Sequence, residues 1–261
     1  MKKLLSLLLA ALAGLIFASN SVAALANFSD PYQALLPPGY KLADSAAPVD
    51  LVGLKQQRLA LVVGPNFEDG VKHFNESRKF QANMNALIAA LGNAAEPSLQ
   101  ALQGRAGPLP LVDDALRDQF TVKDIPPGGD PVMESSSPTR IATHMVEFLS
   151  KIFGKIDLHS DLASARDSKA EYIGVFDFGF IRHSMTDWTR VAKLDLLTPS
   201  IQRLVAASST YRPEAFEMKF FENREALNQR MIAYHLNTTN AVLGGLKADF
   251  VKQLKDRAPK Q

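Results

Sequence analysis

Apolar and polar positions fall along this chain in blocks whose period changes from one block to the next. Leu4 to Ala18 is a nearly unbroken apolar run, with Lys2-Lys3 before it and Ser19-Asn20 and the small triplet Ser21-Val22-Ala23 after it. That order of basic, apolar and small residues predicts a secretory signal peptide over 1–23, with a second cleavage position after Ala26. A run of about 15 apolar residues is shorter than the roughly 20 a bilayer span needs, so the expectation is cleavage, not anchoring. Residues 24–57 hold Pro31, Pro37-Pro38-Gly39 and Pro48 without a sustained period and predict an extended N-terminal arm.

From residue 58 the pattern becomes that of a folded domain, expected over 58–256 with a short tail over 257–261. Arg58 to Val63 is a short apolar run closed by Gly64-Pro65, the form of a strand covered on both faces. Phe80, Met84, Leu87, Ile88 and Leu91 recur at helical spacing. An irregular insertion rich in Pro and Gly is expected at about 97–135, with a short helix near Asp113 to Gln119. Ser137 and Pro138 form an N-cap and first-turn pair ahead of a helix striped by Ile141, Met145, Phe148, Leu149 and Ile152. A short helical turn follows over Asp161 to Asp167. In the strand Glu171 to Ile181, Phe176, Phe178 and Phe180 alternate. Trp188 to Leu197 and Ile201 to Ser208 predict a hairpin turning at Thr198-Pro199-Ser200. Glu214 to Lys255 reads as helix, broken near Asn237 to Asn240. The expected fold is a single-domain α/β sandwich: a four-stranded mixed sheet with helices mainly on one face, after a cleaved signal peptide.

Composition narrows the function. With 261 residues and no Cys, the chain can form no disulfide, thiol nucleophile, Cys-ligated metal site or lipidated cysteine. Lys and Arg number 29 against 27 Asp and Glu, too even for a dedicated nucleic-acid binder. Removing 1–23 takes Lys2 and Lys3 with it and leaves the expected mature chain neutral. No later segment reaches transmembrane length, so no integral span is expected in the mature protein.

The strand closed by Gly-Pro, the segment Ala170-Glu171-Tyr172-Ile173-Gly174-Val175-Phe176 and the hairpin from Val191 to Ala206 carry a resemblance. They look like the anticodon-binding-domain-like fold of bacterial envelope proteins, among them the curli secretion channel lipoprotein, the lipoprotein activators of penicillin-binding proteins and the amino-terminal domain of the Tol translocation protein B. In that family the segment before the hairpin reads Ala-Asp-apolar-apolar-x-Gly, and the hairpin carries an Asp before its turn. The likeness covers about 150 residues at the level of topology and short patterns. This chain differs in lacking the lipidated cysteine and in carrying the insertion. What the resemblance implies is a non-enzymatic envelope protein that binds other proteins, with no shared catalytic residue.

Three polar groups are candidates for chemistry. Asp157, His159 and Asp161 alternate, and an extended segment would point them to one side as ligands for a divalent ion; the same residues also suit a polar loop with Asp161 capping the next helix. Arg182, His183, Asp187, Trp188 and Arg190 surround a connection between strands and suit a partner-binding patch, an acid-base pair or a solvated hairpin end. Glu68, Asp69, His73 and Glu76 follow the first strand, where open α/β sheets favour ligands, yet acidic residues are ordinary at a helix start. His144 with Glu147 and the lone His235 suit surface or helix-packing positions, Gly244-Gly245 suits close helix packing, and Asp177 needs a partner if it points inward and is ordinary on the solvent face. No nucleophile elbow, P-loop or dinucleotide fingerprint is present. The expectation is a periplasmic accessory protein of envelope assembly, secretion or polysaccharide handling that binds envelope proteins and needs no cofactor. The alternative is an exported metal-dependent hydrolase using Asp157, His159 and Asp161, and a small-ligand binding protein ranks third.

Overall fold

The computed structural model describes residues 28–76, 131–184, 187–217 and 222–259. The expected signal peptide, the helix expected over Phe80 to Leu91 and most of the insertion expected at about 97–135 lie outside the described residues. The elements, in chain order, are helix α1 (Tyr32–Leu35), strand β1 (Ala43–Asp44), a 3-10 turn (Gly53–Gln56), β2 (Arg58–Val63) and helical residues 65–76, here α2. From residue 131 come α3 (Pro131–Glu134), within the stretch expected to be irregular, α4 (Pro138–Ser150), β3 (Lys155–His159), α5 (Leu162–Asp167), β4 (Tyr172–Arg182), β5 (Trp188–Leu197), β6 (Gln202–Tyr211) and α6 (Arg224–Asp256).

The sheet is mixed and has six strands in the order β1-β6-β5-β4-β2-β3. β2 lies parallel to both β3 and β4, whereas β4, β5 and β6 form an antiparallel meander. Because β2 is covered on both sides, its apolar run needs no alternation. Leu59 and Leu61 enter the main core with Ile141, Met145, Phe148, Phe176, Leu194, Leu246 and Phe250. Ala60 and Val62 face a second, smaller core with Ile173, Val175, Leu197 and the α5 residues Leu162 and Ala165. The longer helices α4 and α6 thus cover one face, and the short α5 and α1 the other.

The expected count of four strands is corrected to six. β1 is two residues long, and β3 is a five-residue edge strand, Lys-Ile-Asp-Leu-His, whose polar-apolar alternation is too short, with too few apolar residues, to separate it from a polar loop. The predicted break in the last helix does not occur. α6 runs 33 residues without interruption and starts at Arg224, where the Asn223 side chain accepts from the Ala226 amide at 2.8 Å. Asn237 to Asn240 stay helical because Thr238 and Thr239 are buried against neighbouring elements, and packing outweighs their weak helix preference.

The N-terminal arm is bound to the domain throughout its described length. Phe28 N–H donates to Phe180 O at 2.7 Å, Ala43 and Asp44 pair with Gln202 and Arg203, and Val49 N–H donates to Arg257 O at 2.9 Å. Val49 and Leu54 belong to the main core. An irregular Pro-rich segment cannot satisfy its own backbone, so its hydrogen bonds come from tertiary partners that no local pattern shows. Gly154 follows α4 and passes hard against the 3-10 turn: a Cβ there would collide with Lys55 O, so the close approach requires glycine.

Candidate functional site

β4 and β5 are longer than β2. The last β2 residue, Val63, pairs with Phe176, so Phe178 to Arg182 and Trp188 to Ala192 extend past the parallel part of the sheet as a two-stranded end. Residues at even positions of β4 face α6, which places Phe178 and Phe180 between sheet and helix. On β5 the same face carries Arg190, 1% exposed and among the largest fully buried side chains.

Aromatic rings surround its guanidinium. The central carbon lies 5.7 Å from the Phe178 ring centre, 5.1 Å from Phe180 and 5.3 Å from Trp188. Nη1 donates to Thr239 Oγ1 at 2.5 Å, Nη2 stands 3.5 Å from His235 Nδ1, and Nε has no partner. Among the described residues no carboxylate pairs with it. Desolvation pulls the Arg190 pKa down to about 10 and that of His235 to about 3, with the positive guanidinium adding to the second effect. Each ring contact is worth about 0.5–2 kcal/mol. Moving an ion out of water costs several kcal/mol even after relaxation, so the rings offset only part of it.

Beyond this cage the hairpin end is solvated. Trp188 is part-exposed and meets Phe180 and Tyr234 edge to face at 5.3 and 6.0 Å. Asp187 forms a two-point ion pair with Arg212 from the end of β6, with Nε to Oδ1 at 2.9 Å, and the guanidinium holds the carboxyl below its usual range. The amides of His183 and Ser184 donate to Asp187 O, His183 Nε2 lies 2.8 Å from Thr189 Oγ1, and Arg182 Nε donates to Ser184 O. The structure therefore gathers Arg182, His183, Asp187 and Trp188 at one end and adds Arg212, but sets Arg190 behind them in the interior. Its partners Thr239 and His235 lie 45 residues or more along the chain, beyond the reach of any local motif.

On the opposite face, Asp177 is fully buried and accepts from the Phe67 amide at 2.8 Å, its own neighbour Phe178 N–H at 3.0 Å and Asn66 Nδ2 at 2.5 Å. Burial raises its pKa against these three bonds. It holds the start of α2 and ties it to the arm, since Asn66 also bonds Ser29. Its bonds hold the backbone beyond β2, the position that open α/β sheets favour for ligands. Of the third sequence cluster, Glu68 and Asp69 are exposed and His73 pairs with Glu76 at 3.4 Å. Asp195 on β5 is also buried beneath the arm. Desolvation raises its carboxyl to about 6, and the buried Tyr32 hydroxyl beside it makes no hydrogen bond of ordinary geometry. Its position inside the apolar run Leu194-Asp195-Leu196-Leu197 is the one sequence signal that marks it.

Of the three residues proposed as metal ligands, Asp157 and Asp161 have other partners, whereas the buried His159 Nε2 has none. Asp157 accepts from Arg58 Nη2 at 2.7 Å and pairs with Lys155 at 2.8 Å, and these hydrogen bonds hold its carboxyl low. Asp161 caps α5 through the Ser164 amide at 2.7 Å and bonds Ser160. His159 shares the strand face with Asp157, but no group of three His, Asp or Glu fit to hold a metal ion occurs among the described residues. Deeper in the core, Lys247 Nζ meets His144 Nε2 at 2.8 Å and lies over the Phe148 ring.

No protein-family model matches this sequence, and no curated protein does. Among solved structures, a PelC dodecamer from Paraburkholderia phytofirmans is similar over 44% of this chain and 78% of its own, at 13% identity and a TM-score of 0.23. Among the described residues no helix is long and apolar enough to cross a membrane.

Proposed function

We propose that the protein is an exported, non-enzymatic interaction protein, an accessory to envelope assembly, secretion or polysaccharide handling, and that it docks a partner protein through the free end of β4 and β5. The observation that supports this reading is the construction of that end. Arg182, His183, the Asp187–Arg212 pair and part-exposed Trp188 stand together, on a base made rigid by Arg190, Phe178, Phe180 and Thr239. Trp and Arg on a preorganised support are the side chains that carry most binding energy at protein interfaces.

The test is capture of envelope proteins from cell extract on the immobilised protein, with a photo-crosslinking residue at position 183. A defined partner that crosslinks at 183 and is reduced about tenfold or more by the charge exchange Asp187→Arg with Arg212→Asp supports the proposal. The exchange keeps the ion pair and reverses its field, so folding is preserved. Equal capture by both proteins, with no crosslink formed from position 183, overturns it.

A further inference from the structure

The hydrogen-bonding state of Arg190 is uneven in a particular way. Nη1 donates to Thr239 at 2.5 Å, whereas the other edge of the guanidinium is poorly served: Nε has no acceptor, and Nη2 has only His235 Nδ1 at the long distance of 3.5 Å. The Nε and Nη2 donors point the same way, and together they form the edge that a carboxylate bridges with two parallel bonds. The charge of this residue is unneutralised among the described residues, and its walls are the faces of Phe178, Phe180 and Trp188. Of those rings, Phe180 and Trp188 are part-exposed, as is Tyr234 next to Trp188. Part-exposed aromatic rings thus lie against the buried guanidinium.

We infer that this cage is a binding site for a carboxylate carried on an aromatic or apolar stem, which enters by displacing the Trp188 ring, with the Nε and Nη2 edge of Arg190 as its receptor and the aromatic walls receiving the stem. Desolvation and the neighbouring guanidinium lower the His235 pKa to about 3, which favours the neutral ring, and its contact with Nη2 is long and weak. The carboxylate can be that of a free organic acid or of an acidic residue presented by a protein. The site is testable on the purified protein alone, so its failure leaves the docking proposal standing, and the reverse also holds.

Trp188 is the only tryptophan in the chain, so its fluorescence reports the cage directly. Phenylacetate, titrated into the full exported protein, is expected to change Trp188 emission saturably. Neutral 2-phenylethanol and the Arg190→Gln protein should bind about tenfold or more weakly, while Arg190→Lys keeps part of the response. A capped Phe-Glu dipeptide that binds tighter than phenylacetate assigns the site to a protein carboxylate, and the reverse order assigns it to a free acid. Equal responses to acid and alcohol, or no saturable response, overturn the inference. Should Arg190→Gln fail to fold, the wild-type Arg190 Nε–H resonance decides: it shifts with phenylacetate if the acid binds there, and its failure to shift overturns the assignment.

Discussion

Replacing Asp195 by Asn should make the protein more stable at neutral pH than at acid pH, relative to the wild type. Asp195 lies on β5 facing the arm, buried, with Tyr32, Asp30, Lys193 and Arg203 as the titratable groups around it. Desolvation dominates, and the carboxyl is raised from its ordinary 3.8 to about 6. The folded chain therefore holds this proton more tightly than the unfolded chain does. Its stabilising contribution is fully present below about pH 4 and is lost as pH rises through about 6, after which the cost of the buried carboxylate is constant. At about 1.4 kcal/mol per pH unit of separation, the full cost is about 3 kcal/mol, and relaxation around the site reduces what is measured to roughly 1–3 kcal/mol. The amide of Asn cannot ionise, so the difference between variant and wild type isolates this group from the exposed carboxylates. Urea unfolding followed by Trp188 fluorescence from pH 4 to 8 gives that difference directly. It should grow in favour of the Asp195→Asn protein between about pH 4 and 6.5 and then level off. A difference that does not change with pH would refute the reasoning, because a purely steric or hydrogen-bonding effect of the amide has no such dependence.

Three further outcomes follow from the geometry. Arg190→Met replaces an uncompensated buried cation by an apolar side chain of similar length, so denaturant unfolding should show equal or greater stability, up to about 2 kcal/mol; a large loss would mean the guanidinium is well paired. Gly64→Ala places a Cβ hard against the Asp177 carboxyl, forcing that buried group off the α2 amides, and should cost about 1–3 kcal/mol in the same assay. Asp161→Ala removes the α5 cap and should cost about 1 kcal/mol, with added zinc or manganese leaving the thermal midpoint of both proteins unchanged. A metal-dependent rise in the wild type that the variant lacks would return these residues to a metal site.

Much of the framework was legible from period and punctuation. Ser137 and Pro138 stand at the predicted start of α4, and β2, β4 and the β5–β6 hairpin occupy their predicted runs. These features are local: a cap, a turn or an apolar face is defined by residues a few positions apart, and the chain carries them wherever it folds. Edge strands were not legible in the same way, because β1 and β3 are held by one neighbour each, β1 being exposed at both residues and β3 part-exposed. The unbroken α6 was also hidden, since Thr238 and Thr239 favour helix only once the sheet and neighbouring helices bury them.

For the site, residue type alone marked Arg182, His183, Asp187 and Trp188 as a group because they are neighbours in sequence. It also placed Arg190 with them, and there the tertiary structure decides otherwise. Two residues beyond Trp188 on a strand, Arg190 shares Trp188's face, but α6 closes over it and turns an apparent surface charge into a buried one. Asp157 and Asp161 show the converse. The sequence determines their spacing, but Arg58 from the neighbouring strand and the amide of Ser164 determine what their oxygens do. Spacing fixes which way side chains point along one element, whereas solvation and charge pairing depend on what packs across it, and that is settled only when distant segments meet.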